Sequence, residues 1–148
     1  MTLFSLLLLL SGYFPPLVFQ NFEFNQNSFN EIFPVSSPDG QRIAFLSNKD
    51  ITNRTLRLFI CNADGTGLFQ VMNDGSAIFR ATWFPDGKRL VIARQKGKIY
   101  QLVTIKDDGS DLQILTDNTK YTNNSAAVSP DGRFVVYESN QKEIMKYT

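Results

Sequence analysis

The sequence predicts an all-β fold assembled from repeated units, and the first observation behind this prediction is a short phrase that occurs three times. The phrase contains proline, aspartate and glycine in a fixed order, and its prolines stand at positions 38, 85 and 130. The three copies are Ser37-Pro38-Asp39-Gly40, Phe84-Pro85-Asp86-Gly87 and Ser129-Pro130-Asp131-Gly132. A spacing of about 45 residues is typical of a four-stranded propeller blade.

The second observation is that the residues after each phrase also match. Three apolar runs stand at the same distance after the phrase: Ile43-Ala44-Phe45, Leu90-Val91-Ile92 and Val135-Val136-Tyr137. Further along, Asp64-Gly65 falls on Asp108-Gly109, and an apolar segment follows both pairs. The repeat therefore spans whole structural units, which bury their apolar faces only by stacking on one another.

The phrase itself predicts a tight turn between two strands. Proline at the second position fixes φ near −65°, aspartate tolerates the third position, and glycine at the fourth accepts a positive φ. The pairs Asp64-Gly65 and Asp108-Gly109 are hairpin signals of the same kind. Each unit is therefore predicted to run strand, Pro-Asp-Gly turn, strand, variable loop, strand, Asp-Gly turn, strand.

The third observation is that the predicted strands are apolar on both faces. The run from Leu90 to Ala93 shows no alternation of apolar and polar residues. Such a strand suits a sheet that is covered on both sides by neighbouring sheets. The predicted fold class is therefore all-β, a partial β-propeller of about two and a half four-stranded blades, with Trp83 packed between blades.

These phrases resemble the TolB-like β-propeller repeat, also called PD40, which is related to the WD40 repeat. Its pattern is a W-S-P-D-G phrase with an apolar run after it, and a D-G turn followed by L-T. The segments Trp83–Gly87 and Leu112–Thr116 match it well, whereas Ser36 and Val128 replace the tryptophan in the other copies. The resemblance covers about residues 32–148 and implies a six-bladed propeller if the ring is complete.

The predicted organisation along the chain follows from the repeat. Repeat 1 covers residues 32–78, repeat 2 covers 79–123, and a truncated repeat 3 covers 124–148. Residues 20–31 are either a linker or the outer strand of a closing blade. The second interpretation arises because Phe24 precedes Pro38 by about the spacing at which Val71 precedes Pro85.

Residues 1–19 are predicted to be a signal peptide or an apolar leader. The run from Leu3 to Leu10 is almost wholly apolar and is followed by Ser11-Gly12. The run is too short for a transmembrane helix, so no integral membrane span is expected. It resembles the apolar core of a signal peptide, but no lysine or arginine precedes it, as one would in a typical signal. We therefore expect an exported protein, or a cytoplasmic one if the leader is not a signal.

Two whole units and part of a third are fewer than the four to eight blades of a propeller. Three explanations remain open at this point. The chain is a fragment of a longer protein, it closes a ring by self-association, or it is an open remnant that needs a partner.

The composition excludes most catalytic sites. The sequence has no histidine, which rules out Ser-His-Asp and Cys-His arrangements and histidine-containing zinc sites. The single cysteine, Cys61, is predicted to be a core residue, and no phosphate-binding loop occurs. Asp39, Asp86 and Asp131 recur once per unit, which indicates a role in turns. We expect no catalytic, cofactor-binding or metal-binding residues, and a net charge of +1 predicts no nucleic-acid partner.

The prediction for function is a non-catalytic scaffold for protein–protein interaction. The resemblance to TolB implies a periplasmic protein whose partners belong to the cell envelope. The alternative is the propeller portion of a prolyl-oligopeptidase or tricorn-like peptidase whose catalytic domain is absent from this chain. Partner contacts are expected at three inserts in the repeat, because loops on rigid scaffolds carry recognition. These inserts are residues 49–55, 74–79 and 117–124.

Overall fold

A computed structural model describes residues 31–49, 55–117, 120–141 and 145–147. These residues form three antiparallel sheets and contain no helix. The first sheet, in the order β1-β2-β3-β4, consists of β1 (Glu31–Ser36), β2 (Arg42–Ser47), β3 (Arg57–Asn62) and β4 (Phe69–Gln70). The second, in the order β5-β6-β7-β8, consists of β5 (Ile78–Trp83), β6 (Arg89–Lys96), β7 (Ile99–Lys106) and β8 (Gln113–Ile114). The third contains β9 (Asn123–Val128), β10 (Val135–Ser139) and β11 (Met145–Tyr147).

This architecture confirms the predicted all-β fold and the strand order within each unit. In the first two sheets a Pro-Asp-Gly turn joins the first strand to the second, and an Asp-Gly turn joins the third strand to the fourth. The sheets begin at Glu31, Ile78 and Asn123, each one residue before the corresponding predicted repeat. The predicted leader at 1–19 and the segment 20–30 lie outside the described residues.

The second sheet forms the centre of the molecule because both of its faces are covered. Leu90 and Ile92 of β6 face the first sheet, in a core that also includes Ala44 and Leu46 of β2. Val91, Ala93 and Leu102 face the third sheet together with Val135. The four consecutive residues of β6 from Leu90 to Ala93 are at most 1% exposed. The predicted packing of apolar strands on both faces is thus confirmed for this sheet.

Trp83 packs between the first two sheets and forms a hydrogen bond across them, in agreement with its predicted place between blades. It is 7% exposed, and its indole Nε1 donates a hydrogen bond of 3.1 Å to the carbonyl oxygen of Val35 in β1. The guanidinium carbon of Arg42 lies 5.1 Å from the centroid of its ring. The same arginine forms an ion pair with Asp107 and donates a 2.6 Å hydrogen bond to the carbonyl oxygen of Gly87. Arg42 therefore bridges two sheets.

Cys61 lies on β3 and is 3% exposed, in agreement with its predicted place in the core. Burial raises the pKa of its thiol, and the carboxylates of Asp64 and Glu31 act in the same direction. A buried thiol with a raised pKa is a poor nucleophile, so Cys61 contributes to packing.

Candidate functional site

The predicted repeat residues lie in turns. The glycines of the three Pro-Asp-Gly turns, Gly40, Gly87 and Gly132, have φ values of 69°, 67° and 71°. The backbone N–H of each glycine donates to the carbonyl oxygen three residues earlier, at 2.8 to 3.0 Å. These are the hydrogen bonds of a β-turn, and the left-handed conformation favours glycine.

The aspartates of these turns stabilise the backbone. Asp39 Oδ1 accepts hydrogen bonds from the Ser37 hydroxyl and from the backbone N–H of Gln41. Asp131 makes the equivalent bonds with the Ser129 hydroxyl and the backbone N–H of Arg133. The serine hydroxyl is the main cause that lowers the pKa of each carboxyl, and the backbone donor is the next. Both carboxylates thus accept hydrogen bonds from donors of their own turns.

Replacing Ser37 with alanine is expected to raise the pKa of Asp39 toward its ordinary value of 3.8. The folded state has the lower pKa, so the hydroxyl contributes stability that is fully present above pH 3.8 and is lost as the pH falls through the folded pKa. Carboxyl NMR titration of the variant would measure the shift. Thr66→Val is the control, because it removes the hydroxyl bonded to Asp64 and leaves Asp39 alone. An unchanged pKa of Asp39 in Ser37→Ala would contradict the assignment.

The Asp-Gly turns use the same chemistry one hairpin further on. Asp64 Oδ1 accepts from Thr66, and Asp108 Oδ1 accepts from the backbone N–H of Ser110 at 2.8 Å. Hydrogen bonds from Thr66 and from Ser110 lower the pKa of Asp64 and of Asp108 respectively. Both glycines, Gly65 and Gly109, have a φ of 84°. These four residues therefore shape the hairpins.

The first and last carboxylates of the acidic segment from Asp107 to Asp111 form ion pairs with arginines of the same chain. Asp107 pairs with Arg42, while Asp111 pairs with Arg89 at 2.8 Å. Within the described ranges, no group of three or more His, Cys, Asp and Glu residues could hold a metal ion. In the same ranges no helix is long and apolar enough to cross a membrane.

The strongest candidate for a binding site is a groove along the first strands of the three sheets. It is lined by residues 33–35 of β1, 80–82 of β5 and 125–126 of β9, and has a volume of about 350 Å³. The packing of β5 against both β1 and β9 brings these strands together. We call this feature the inner groove.

Irregular backbone shapes the inner groove. The strand register shifts between Ile32 and Val35 in the first sheet, and between Ile78 and Arg80 in the second. The third sheet has a corresponding shift opposite Val136 and Glu138. Phe33 and Ser125 have φ values of 54° and 48°, which are unusual for residues other than glycine. Bulges of this kind redirect side chains and recur next to functional sites.

Arg80 supplies the charge of the inner groove. Its guanidinium carbon lies 3.9 Å from the centroid of the Phe33 ring and 5.9 Å from that of Phe79. Phe33 remains 40% exposed. Arg80 is exposed, and among the residues that the structure describes it has no hydrogen-bond or ion-pair partner. A stacked guanidinium without a counterion can still donate hydrogen bonds along its edge, and it favours a carboxylate or another planar anion.

Sequence reasoning did not single out Arg80 or Phe33. Phe33, Arg80 and Ser125 stand five residues before the three repeat prolines, so one column of the repeat carries three unlike residues. This variation at an aligned position is the signal that could have found the groove.

The three predicted inserts only partly coincide with loops. Phe79 belongs to β5, and Asn123 and Asn124 belong to β9, so the second and third inserts end earlier than predicted. Asn123 is 2% exposed and unavailable for contact. Residues 50–54 of the first insert lie outside the described residues. What remains of the second insert borders a shallow pocket lined by residues 74–77, Gln95 and Gly97.

The packed antiparallel sheets, the Pro-Asp-Gly turns that recur in them and the groove along their first strands define a β-propeller repeat protein. The profile of the TolB β-propeller domain (PD40) matches residues 21–147. The chain belongs to this TolB β-propeller family. Comparison with curated protein sequences gives no match.

Solved structures show the same fold at low sequence identity. A putative TolB from Agrobacterium tumefaciens is 19% identical with a TM-score of 0.66, over 78% of this chain and 40% of that one. TolB from Acinetobacter baumannii is 19% identical with a TM-score of 0.61, over 76% and 28%. Oligogalacturonate lyase from Vibrio parahaemolyticus is 15% identical with a TM-score of 0.64, over 82% and 40%. The chain thus spans less than half the length of each of these proteins.

Proposed function

We propose that this chain is a non-catalytic module for protein–protein interaction, and that its inner groove receives an acidic segment of the partner. Arg80 is the observation that carries this proposal, because its charge faces a groove without a counterion among the described residues. An extended segment would place a carboxylate against the guanidinium and apolar groups over Phe33. A sequence without histidine is consistent with a role in binding.

The proposal includes an exported location and partners in the cell envelope. It rests on membership of the TolB β-propeller family and on the apolar run that begins at Leu3. An accessible periplasmic protein would be degraded by a protease added to cells whose outer membrane has been opened. Resistance of the protein in such cells would argue for the cytoplasm.

Selection from a random peptide library on the full chain would test the binding proposal. We expect the selected peptides to be rich in aspartate and glutamate, and Arg80→Glu to weaken their binding about tenfold or more, which corresponds to 1.4 kcal/mol per factor of ten. Arg80→Lys keeps the charge but loses the planar fork, so binding should weaken less. Arg133→Glu is the matched control, because the Arg133 side chain is 74% exposed and belongs to a turn outside the groove.

Two results would contradict the proposal. One is a set of peptides without acidic residues, and the other is equal binding by the Arg80→Glu and Arg133→Glu variants. A photo-crosslinking residue at Thr82, inside the groove, would then localise any peptide that does bind. The same residue placed at Ile114, on an outer strand, gives the background.

A role as the propeller portion of a peptidase is the second candidate. The fold match to puromycin hydrolase, at 17% identity and a TM-score of 0.60, is the observation that favours it. In that case the groove would control the access of a peptide substrate. A continuation of the reading frame with a G-x-S-x-G nucleophile elbow and a histidine would support this candidate. A continuation with further Pro-Asp-Gly repeats would support the binding module.

A further inference from the structure

Aspartate followed by glycine occurs six times in this sequence, and five of these pairs lie in closed turns. In each closed turn the backbone N–H of the glycine donates to the carbonyl oxygen three residues earlier, at 2.8 to 3.0 Å. These five glycines are Gly40, Gly65, Gly87, Gly109 and Gly132. The sixth pair, Asp74-Gly75, belongs to the connection between β4 and β5 and is built differently.

Gly75 has the left-handed conformation of the other five glycines but lacks their hydrogen bond. It is exposed, its φ is 81°, and its N–H has no acceptor among the residues that the structure describes. The carbonyl oxygen three residues earlier belongs to Met72, and the side-chain amide of Gln70 donates to it instead. Solvent base can therefore reach the amide of Gly75, whereas the hydrogen bonds of the closed turns protect the other five amides.

The carboxylate of Asp74 is held beside this amide. Its Oδ1 accepts a hydrogen bond of 2.9 Å from the backbone N–H of Ser76, so the side chain folds back over the amide of Gly75. The other five aspartates accept the equivalent bond from the residue two positions further on. This bond alone therefore does not distinguish Asp74, but the open amide next to it does.

Two further features of the Asp74-Gly75 pair favour attack of the amide on the carboxyl group. Oδ2 of Asp74 accepts a 2.9 Å hydrogen bond from Arg94, whose positive charge stabilises the negative charge that develops on this oxygen during the attack. No atom of the described chain outside the immediate neighbours lies within 4 Å of the Cβ position of Gly75. The Asp74 side chain is 41% exposed. Space for a new ring and access for water are thus both present.

We propose that Asp74 is a modification site, at which the aspartate converts spontaneously to isoaspartate. The amide nitrogen of Gly75 gives its proton to solvent and bonds to Cγ of Asp74, while one carboxyl oxygen takes up protons from solvent and leaves as water. The product is a five-membered succinimide ring. Water then adds to the former main-chain carbonyl carbon and breaks its bond to the nitrogen. The chain now continues through the side chain, and the old carbonyl group becomes a free carboxylate.

The modification changes the connection between the first two sheets. The carbonyl oxygen of Ser76 accepts a 2.7 Å hydrogen bond from Arg57 in the first sheet. The carbonyl oxygen of Ala77 accepts one of 2.7 Å from the backbone N–H of Gln95 in the second sheet. An isoaspartate adds one methylene group to the main chain just before these two bonds. The connection must then shift relative to at least one of the sheets that it joins.

Ageing of the full chain in mildly acidic buffer is the first test, with each of the six pairs followed by mass spectrometry with electron-transfer fragmentation. A turn hydrogen bond must open before its glycine can react, so isoaspartate should form at Asp74 about tenfold faster than at the other five aspartates. The same chain in urea is the control. Its turns are open, so the excess at Asp74 should disappear.

Two asparagine variants test the open amide without the need to protonate a carboxylate. An asparagine forms the same ring with loss of ammonia, and the mass of the intact protein reports the reaction. Asp74→Asn should deamidate about tenfold faster than Asp64→Asn. Asp64 is the matched position, because it is also exposed and bonded to the N–H two residues on, but the N–H of Gly65 donates to the carbonyl oxygen of Asn62.

Three results would overturn the proposal. One is an amount of isoaspartate at Asp74 no greater than at the other five pairs in the folded protein. Another is equal deamidation of the Asp74→Asn and Asp64→Asn variants. The last is deuterium exchange at the N–H of Gly75 as slow as at that of Gly65, which would mean that the amide is not open. None of these results bears on the inner groove, whose test uses peptide binding to Arg80.

Discussion

Replacing Gly109 with alanine is expected to lower the free energy of unfolding by about 3 kcal/mol or more. Gly109 has a φ of 84°, and a Cβ atom there would lie 2.3 Å from the carbonyl oxygen of Val71. The contacted atom belongs to the backbone next to the first sheet, so it cannot rotate away as a side chain would. The substitution combines a strained conformation with a clash between two sheets. Urea denaturation followed by circular dichroism would measure the loss.

Gly75→Ala separates the two causes. Gly75 has a φ of 81°, but no atom of the described chain outside its immediate neighbours lies within 4 Å of its Cβ position. This variant should therefore show only the conformational cost of about 1 kcal/mol. Equal losses for Gly75→Ala and Gly109→Ala would refute the close contact between the second Asp-Gly turn and Val71.

Trp83→Ala is expected to cost about 3–5 kcal/mol, the range for removing a large buried aromatic side chain. The ring fills the core between the first two sheets and makes the hydrogen bond to Val35. Its removal would leave a cavity beside Arg42, whose guanidinium packs over the ring. Thermal and chemical denaturation would report the loss.

Two further variants help to explain the stability lost in Trp83→Ala. Trp83→Phe keeps an aromatic ring but removes the donor to the Val35 carbonyl, so a loss of about 1–2 kcal/mol is expected. Phe69→Ala, on the outer strand β4 and 40% exposed, should lower the free energy of unfolding less than Trp83→Ala does.

Because Trp83 is the single tryptophan, its fluorescence should resist acrylamide quenching until the protein unfolds. Free access of acrylamide in the folded state would contradict the burial of Trp83.

The strand order of the repeat could be predicted because its determinants are local. A proline, an aspartate and a glycine within four residues specify a turn through backbone sterics and one side-chain hydrogen bond. The run from Leu90 to Ala93 similarly identified a strand covered on both faces. Repetition of these local signals was sufficient to predict stacked four-stranded units.

Variation between the units was misleading at the start of the third sheet. Asn123 and Asn124 were predicted to belong to the insert at residues 117–124, one of the most variable segments of the repeat. The structure pairs Asn123 with Ser139 and Asn124 with Glu138 as the beginning of β9. The position of a strand in the repeat is therefore a better guide to its first residue than the variability of the segment.

The inner groove could not be predicted because it depends on residues far apart in sequence. Nothing local indicates that Arg80 stacks on Phe33, which lies in another sheet. The positive φ of Phe33 and of Ser125 likewise contradicts local preference, and it is imposed by the pairing of bulged strands. Both features arise only when the first strands of consecutive sheets lie side by side.

The outer strands β4 and β8 contain two residues each, and this brevity protects the protein from aggregation. An edge strand presents unpaired N–H and C=O groups that can recruit the strand of another molecule. Here the perimeter carries exposed apolar side chains, among them Phe69 and Ile114, which would favour such recruitment. Two ladder positions per sheet are too few to template an intermolecular sheet. The short outer strands therefore let the molecule keep apolar side chains in water without offering a long unpaired edge at the perimeter.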